Sequence, residues 1–225
     1  MSEPLKVLIV DDSALMRNLI SRIVESVPDL KVWGTAMNGV FALQKIRSAL
    51  PDIIILDLEM PQMNGLEFLK KRQELKIDVP VIILSSIARR GAEVTMEALS
   101  LGASDFIQKP SGAVSEDIHL VKDHLIDLIR VWGGRHRRSS LHEGPDRPSL
   151  PAREASPVPE TPARTPGPLR SHSGLQILAI GISTGGPNAL RTVFAGLDAD
   201  FPLPIVVVQH MPPGFTAEFA HSLDR

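Results

Sequence analysis

Ile53-Ile54-Ile55-Leu56-Asp57 is a run of four β-branched or leucine residues that ends on a carboxylate. A short apolar run without polar alternation fits a strand buried on both faces of a parallel sheet. Two further runs share the design: Val7-Leu8-Ile9-Val10 leads into Asp11-Asp12, and Val81-Ile82-Ile83-Leu84 leads into Ser85-Ser86. Weaker strand candidates lie at Val32 to Ala36 and at Asp105 to Ile107, the latter ending shortly before Lys109-Pro110. Helix-period patterns fall between them, such as Ile118, Val121, Leu125 and Leu128 on one face of the stretch from Ser115 to Arg130. Five β-α repeats predict an α/β domain over residues 1–130, built on a five-stranded, doubly wound parallel sheet. In that architecture the working site lies beyond the carboxyl ends of the strands.

Three carboxylates, a hydroxyl and an ammonium therefore converge on one sheet edge: Asp11, Asp12, Asp57, Ser85 and Lys109. Each alone has a plain structural reading. An acidic pair suits a helix N-terminus, a serine suits a cap, and Lys-Pro suits a turn. Their joint occurrence at four strand ends of one sheet points instead to chemistry. Clustered carboxylates repel one another, and a hard divalent cation with oxygen ligands, Mg²⁺ by its preference for few protein ligands, resolves the conflict. The reaction that fits is phosphoryl transfer onto Asp57, with charge neutralised by Mg²⁺ and Lys109 and a phosphoryl oxygen bonded by Ser85.

The rest of the composition narrows the field. The 225 residues contain no cysteine, which excludes disulfides, thiolate metal sites and a cysteine nucleophile. A formal net charge of -2 gives no electrostatic case for nucleic acid or membrane binding. Nothing resembles a signal peptide or a run long enough to span a bilayer, so a cytoplasmic protein is expected. Residues 131–174 hold eight of the 19 prolines, together with many Arg and Ser residues and almost no periodic apolar pattern. Such a stretch buries too little apolar surface to offset the entropy of ordering it, and reads as a semi-extended linker with solvated charges.

Residues 175–225 resume the α/β pattern. Leu175 to Ile180 reads as a strand running into Gly181-Ile182-Ser183-Thr184-Gly185-Gly186, and Pro187 stands just inside the helix that follows. A second strand, Ile205 to Val208, ends in Gln209-His210-Met211-Pro212-Pro213. Gly181-x-Ser183-x-Gly185 fits a nucleophile elbow, although the same pattern also serves as a simple turn or a phosphate-binding loop. Ser183 and His210 at adjacent strand ends favour a nucleophile–base pair. Asp198 and Asp200 precede the second strand and so fall at its far edge, while Glu218 and Asp224 belong to the last helix. None has an evident route to His210, so the orienting acid of a triad is expected outside this chain. Two strands do not make a self-sufficient sheet, and this part reads as incomplete.

Residues 5–130 resemble the receiver domain of response regulators in two-component signalling. That resemblance implies Asp57 as phosphoacceptor, with Asp11, Asp12, Asp57 and the backbone of Glu59 as Mg²⁺ ligands. It also implies Ser85 as the hydroxyl switch residue, Phe106 as the aromatic switch and Lys109 as the charge partner. Asp57-Leu58-Glu59-Met60-Pro61-Gln62-Met63-Asn64-Gly65 matches the loop after the acceptor, with Gly65 free to take an unusual backbone angle. Without metal, the Glu59 side chain could lie over the site and pair with Lys109. With Ile180-Gly181-Ile182-Ser183-Thr184-Gly185-Gly186-Pro187 and Gln209-His210-Met211-Pro212-Pro213-Gly214-Phe215 added, the whole resembles the CheB family of chemotaxis protein-glutamate methylesterases.

This second resemblance implies a receiver joined to a Rossmann-like α/β esterase domain that hydrolyses glutamate γ-methyl esters and deamidates glutamines on chemoreceptors. Ser183 and His210 would be catalytic together with an aspartate beyond Arg225, and no cofactor would serve the ester reaction. The partners implied are a CheA-type histidine kinase and methylated chemoreceptors, without nucleic acid and without membrane insertion. Phosphorylation would relieve a block of the esterase site by the receiver. A non-catalytic phosphoacceptor or binding protein is the other reading if the chain ends at Arg225.

Overall fold

The computed structural model describes residues 3–85, 89–109, 118–142, 176–212 and 214–224. Five strands, β1 (Leu5–Val10), β2 (Leu30–Ala36), β3 (Ile53–Asp57), β4 (Val81–Ser85) and β5 (Asp105–Gln108), form one parallel sheet in the order β2-β1-β3-β4-β5. Both faces are covered, as the continuous apolar runs require. One face packs against α1 (Ala14–Glu25) and α5 (Ile118–His142), through Val7, Ile9, Ile20, Ile55, Leu125 and Ile129. The other carries α2 (Gly39–Ile46), α3 (Gly65–Glu74) and α4 (Arg89–Ser100), over Leu8, Leu56, Phe68, Ile83 and Leu99.

Two helix starts fix loops at the working edge. Ser13 caps α1 by accepting the Met16 N–H, which places Asp11 and Asp12 in the turn just before it. Asn64 and Glu67 form a reciprocal capping box at α3, closing the loop that follows Asp57. The C-terminal part contributes β6 (Leu178–Ile182), α6 (Gly186–Ala195), β7 (Ile205–Gln209) and α7 (Phe215–Leu223), with β6 and β7 paired in parallel. Strand β6 runs to Ile182, so Gly181 and Ile182 are strand residues and the turn begins only at Ser183.

The linker boundary differs from the expectation. Helix α5 continues through His142, so the first twelve residues of the stretch 131–174 are helical. Packing overrides composition here. Trp132 lies against the core on the α1–α5 face, and the Arg137 guanidinium grips Asp52 while donating to the carbonyls of Glu3 and Pro4. Burial alone would raise the Asp52 carboxyl, but the Arg137 hydrogen bond and charge outweigh it and hold it below its usual range. Residues 143–175, with the prolines of the expected linker, lie outside the described residues.

The two parts share one apolar cluster. Leu190 of α6 and Phe215 and Phe219 of α7 are buried in the same group as Phe68, Met96, Leu99 and Phe106. The Phe106 and Phe215 rings stack at 5.0 Å and 15°.

Candidate functional site

At the carboxyl edge of the five-stranded sheet, the register sets Val10 beside Leu56 and Asp57 beside Leu84. Carboxylate oxygens of Asp11, Asp12 and Asp57 consequently lie within 4.8 Å of one another. Lys109 Nζ reaches Asp57 Oδ2 at 2.7 Å and Asp11 Oδ2 at 3.4 Å, yet neither oxygen gains an aligned hydrogen bond. The remaining oxygens are held by the backbone: Ser13 N–H donates to Asp11 Oδ1 at 2.8 Å, and Glu59 N–H to Asp57 Oδ1 at 3.2 Å.

Burial pushes the carboxyls of Asp57 and Asp11 up, against the pull of Lys109. Burial would lower Lys109, but the Asp57 and Asp11 carboxylates outweigh it and raise its pKa. Three crowded carboxylates that share one ammonium suit a hard divalent cation. The expected Lys109–Glu59 pair does not form: among the described residues, the ion pairs of Lys109 are to Asp11 and Asp57. The nearer carboxylates claim the ammonium.

Gly65 serves another purpose than an unusual backbone angle. Its φ is not positive, but a Cβ there would stand 2.5 Å from the Asp57 carbonyl oxygen and 2.8 Å from Leu58 Cα. The residue is small because α3 begins against the backbone of Asp57 and Leu58. Ser85 and Asp57 line one small recess with Glu59 and Lys109. The Ser85 hydroxyl is paired with Thr95 of α4, and Phe106 is buried under Phe215.

A second site lies where the two parts meet. Ser183 follows β6 and His210 follows β7, and the register Ile182↔Gln209 brings them to neighbouring positions. Gln209 Nε2 ties the turn by donating to both the Ser183 and His210 carbonyls, at 3.0 and 2.9 Å. Gly185 takes φ +74° at the start of α6, and Gly186 leaves room for Gln209, whose Oε1 would lie 1.7 Å from an added Cβ. Gly181 meets nothing within 4 Å, so the tight approach is made by Gly186, one position beyond the Gly-x-Ser-x-Gly pattern.

Ser183 and His210 line one cleft of about 580 Å³, without a hydrogen bond between their side chains. Its opposite wall belongs to the five-stranded domain: Asp105 to Gln108 of β5, and Val121 and His124 of α5. The His124 ring centre lies 6.4 Å from that of His210. Burial lowers the His124 pKa, helped by the His210 charge and opposed by Asp105.

Among the described residues no acid bonds to His210, and Asp198 and Asp200 sit in the exposed loop before β7, as their sequence position implies. Two residues at this junction went unmarked in the sequence. Asp105 is buried, and its Oδ2 accepts the Gly185 N–H at 2.8 Å. The Asn188 side chain donates to the Ala103 and Ser104 carbonyls. The available signal for Asp105 was an acid opening an otherwise apolar strand.

Comparison with known proteins follows this division. The response regulator receiver domain matches residues 7–119, and the CheB methylesterase family matches residues 178–225. A protein-glutamate methylesterase/protein-glutamine glutaminase of Treponema denticola is 54% identical over 231 residues, covering 99% of this chain and 62% of the relative. The Bacillus subtilis protein of that name is 44% identical over 221 residues, covering 98% and 60%. The chain thus spans about three fifths of the length of the curated relatives it matches. Among solved structures, the response regulator domain of Thermotoga maritima CheB is 42% identical with a TM-score of 0.53, covering 59% of this chain and 98% of that one. The chain therefore belongs to the response regulator receiver family, and its residues 178–225 match the CheB methylesterase family.

Proposed function

We propose that this chain carries the phosphorylation switch and the nucleophile–base pair of a protein-glutamate methylesterase that also deamidates glutamine, acting on chemoreceptors. The observation that supports it best is the shared cleft: Ser183 and His210 form one wall, and the receiver strand that carries Phe106 forms the other. Ser183 Oγ would attack the γ-ester carbonyl while His210 takes its proton, and His210 would return that proton to the departing methoxide as methanol. Water, deprotonated by His210, would then release the glutamate from Ser183. An aspartate beyond Arg225 would orient the imidazole.

In the receiver, Asp57 would accept a phosphoryl group from a CheA-type histidine kinase. Asp11, Asp12, Asp57 and the Glu59 backbone would hold Mg²⁺, which supplies charge neutralisation for the transfer. Lys109 would bond the phosphoryl group once its pairing with Asp57 is broken. With β5 and α5 against the cleft, the unphosphorylated arrangement would exclude a receptor helix, and phosphorylation would shift the population towards an open one. Among the described residues no helix is long and apolar enough to cross a membrane, which fits work on the cytoplasmic side of receptors.

The test is methanol release from methylated receptors by the full-length protein, with and without a phosphoryl donor. Ser183→Ala should abolish release, and Asp57→Asn should abolish its stimulation. Equal release by wild type and Ser183→Ala would dispose of the serine nucleophile.

A further inference from the structure

Ser85 and Thr95 are both buried, and their hydroxyl oxygens lie 2.5 Å apart between β4 and α4. Thr95 Oγ1 is also 2.6 Å from the Gly91 carbonyl, whereas Ser85 Oγ is 3.5 Å from it. The Thr95 hydroxyl thus ties the Ser85 hydroxyl to the Gly91 carbonyl of α4. The pair engages the same hydroxyl that a phosphoryl oxygen on Asp57 would need. The pairing also sits at a junction. The next residue, Met96, gives its carbonyl to Arg191 of α6, and that guanidinium nitrogen also bonds Ser222 Oγ of α7.

We infer that Thr95 is a positioning residue for phosphoryl transfer: it holds the Ser85 hydroxyl in a buried pair and so biases the receiver towards its unphosphorylated arrangement. The inference rests on the reading of Ser85 as the hydroxyl that bonds the phosphoryl group. On phosphorylation Ser85 rotates out of the pair. Thr95 keeps its bond to Gly91 and loses only the one it shares with Ser85. The hydroxyl pair is therefore a cost specific to the switch, and removing it favours the phosphorylated form without touching the acceptor.

The experiment titrates the full chain with beryllofluoride in excess Mg²⁺, following bound fluoride by ¹⁹F NMR. Thr95→Val keeps the shape, removes the hydroxyl, and should bind about fivefold more tightly, the worth of one ordinary hydrogen bond. Thr95→Ser should stay within about twofold of wild type. In a Ser85→Ala background, Thr95→Val should have no further effect, which a purely structural role for Thr95 would not produce. If Thr95→Val does not fold, Thr95→Ala is read in the same way. Wild-type affinity in Thr95→Val, or an equal gain with and without Ser85, overturns the inference. Unchanged affinity when Ser85→Ala is added to Thr95→Val, where no bond to Thr95 is given up, overturns the reading of Ser85 beneath it, a result distinct from failure at Thr95.

Discussion

Replacing Asp105 with alanine should loosen the closed cleft by an amount that follows from one contact. Its Oδ2 accepts the Gly185 N–H at 2.8 Å across the junction, and Oδ1 takes the Phe106 N–H within its own strand. A neutral hydrogen bond contributes about 0.5–1.5 kcal/mol, and opening returns the amide to water. Removal should lower the closed-to-open ratio by about two- to tenfold. Hydrogen exchange at the Gly185 amide reads this ratio directly, because the amide is protected only while the cleft is shut.

Burial raises the Asp105 carboxyl, its bonds from Gly185 and Phe106 notwithstanding. The closed state thus tolerates a neutral side chain better than a charged one. Two results follow. Asp105→Asn, neutral and still an acceptor, should retain wild-type protection. In wild type, the added stability of closure should be full below the ordinary carboxyl range and fade as pH rises through the raised closed-state value. After correction for intrinsic exchange, Gly185 protection should accordingly grow on the acid side. Unchanged protection in Asp105→Ala, or Asp105→Asn exchanging as fast as the alanine variant, would refute the assignment.

Arg137→Ala should destabilise the chain by about 1–3 kcal/mol and fray the last turns of α5, seen as lost helicity and a lower urea midpoint. Because Arg137 depresses Asp52, its contribution is present above the ordinary carboxyl range and disappears as pH falls through the depressed value, so variant and wild type should converge in acid. Gly65→Ala drives a Cβ into the backbone of Asp57 and Leu58, which should cost about 1–3 kcal/mol and slow phosphorylation by a small-molecule phosphodonor. Phe215→Ala removes a fully buried ring stacked on Phe106, and a loss of about 3–5 kcal/mol in a thermal or urea melt is expected.

Much of this was legible in the order of residues. Apolar runs that end on Asp11, Asp57 and Ser85 define both the sheet and its chemical edge, because strand ends in a parallel sheet converge by topology alone. Other features needed three dimensions. The extension of α5 depends on Asp52, some eighty residues before Arg137, and no local pattern in an Arg- and Ser-rich stretch announces that pairing. Gly65 looks like a turn glycine until the Asp57 carbonyl is seen beside it. Thr95 reads as an ordinary helix residue, because its hydroxyl gains meaning only from Ser85 across the α4–β4 contact. Asp105 is misleading in the opposite sense, since a charge at a strand start suggests solvent and its partner is a backbone amide eighty residues away.

The shared apolar cluster has a consequence for how the molecule comes apart. Phe215, Phe219 and Leu190 belong to the same packed group as Phe68 and Leu99, so heat or denaturant should meet one cooperative block, and calorimetry should record a single transition for both parts. Under the proposed function, phosphorylation would part them along this seam and expose apolar surface to water. Cold weakens the hydrophobic drive that holds the seam, so the proposed balance between shut and open should depend on temperature as well as on a phosphoryl group at Asp57.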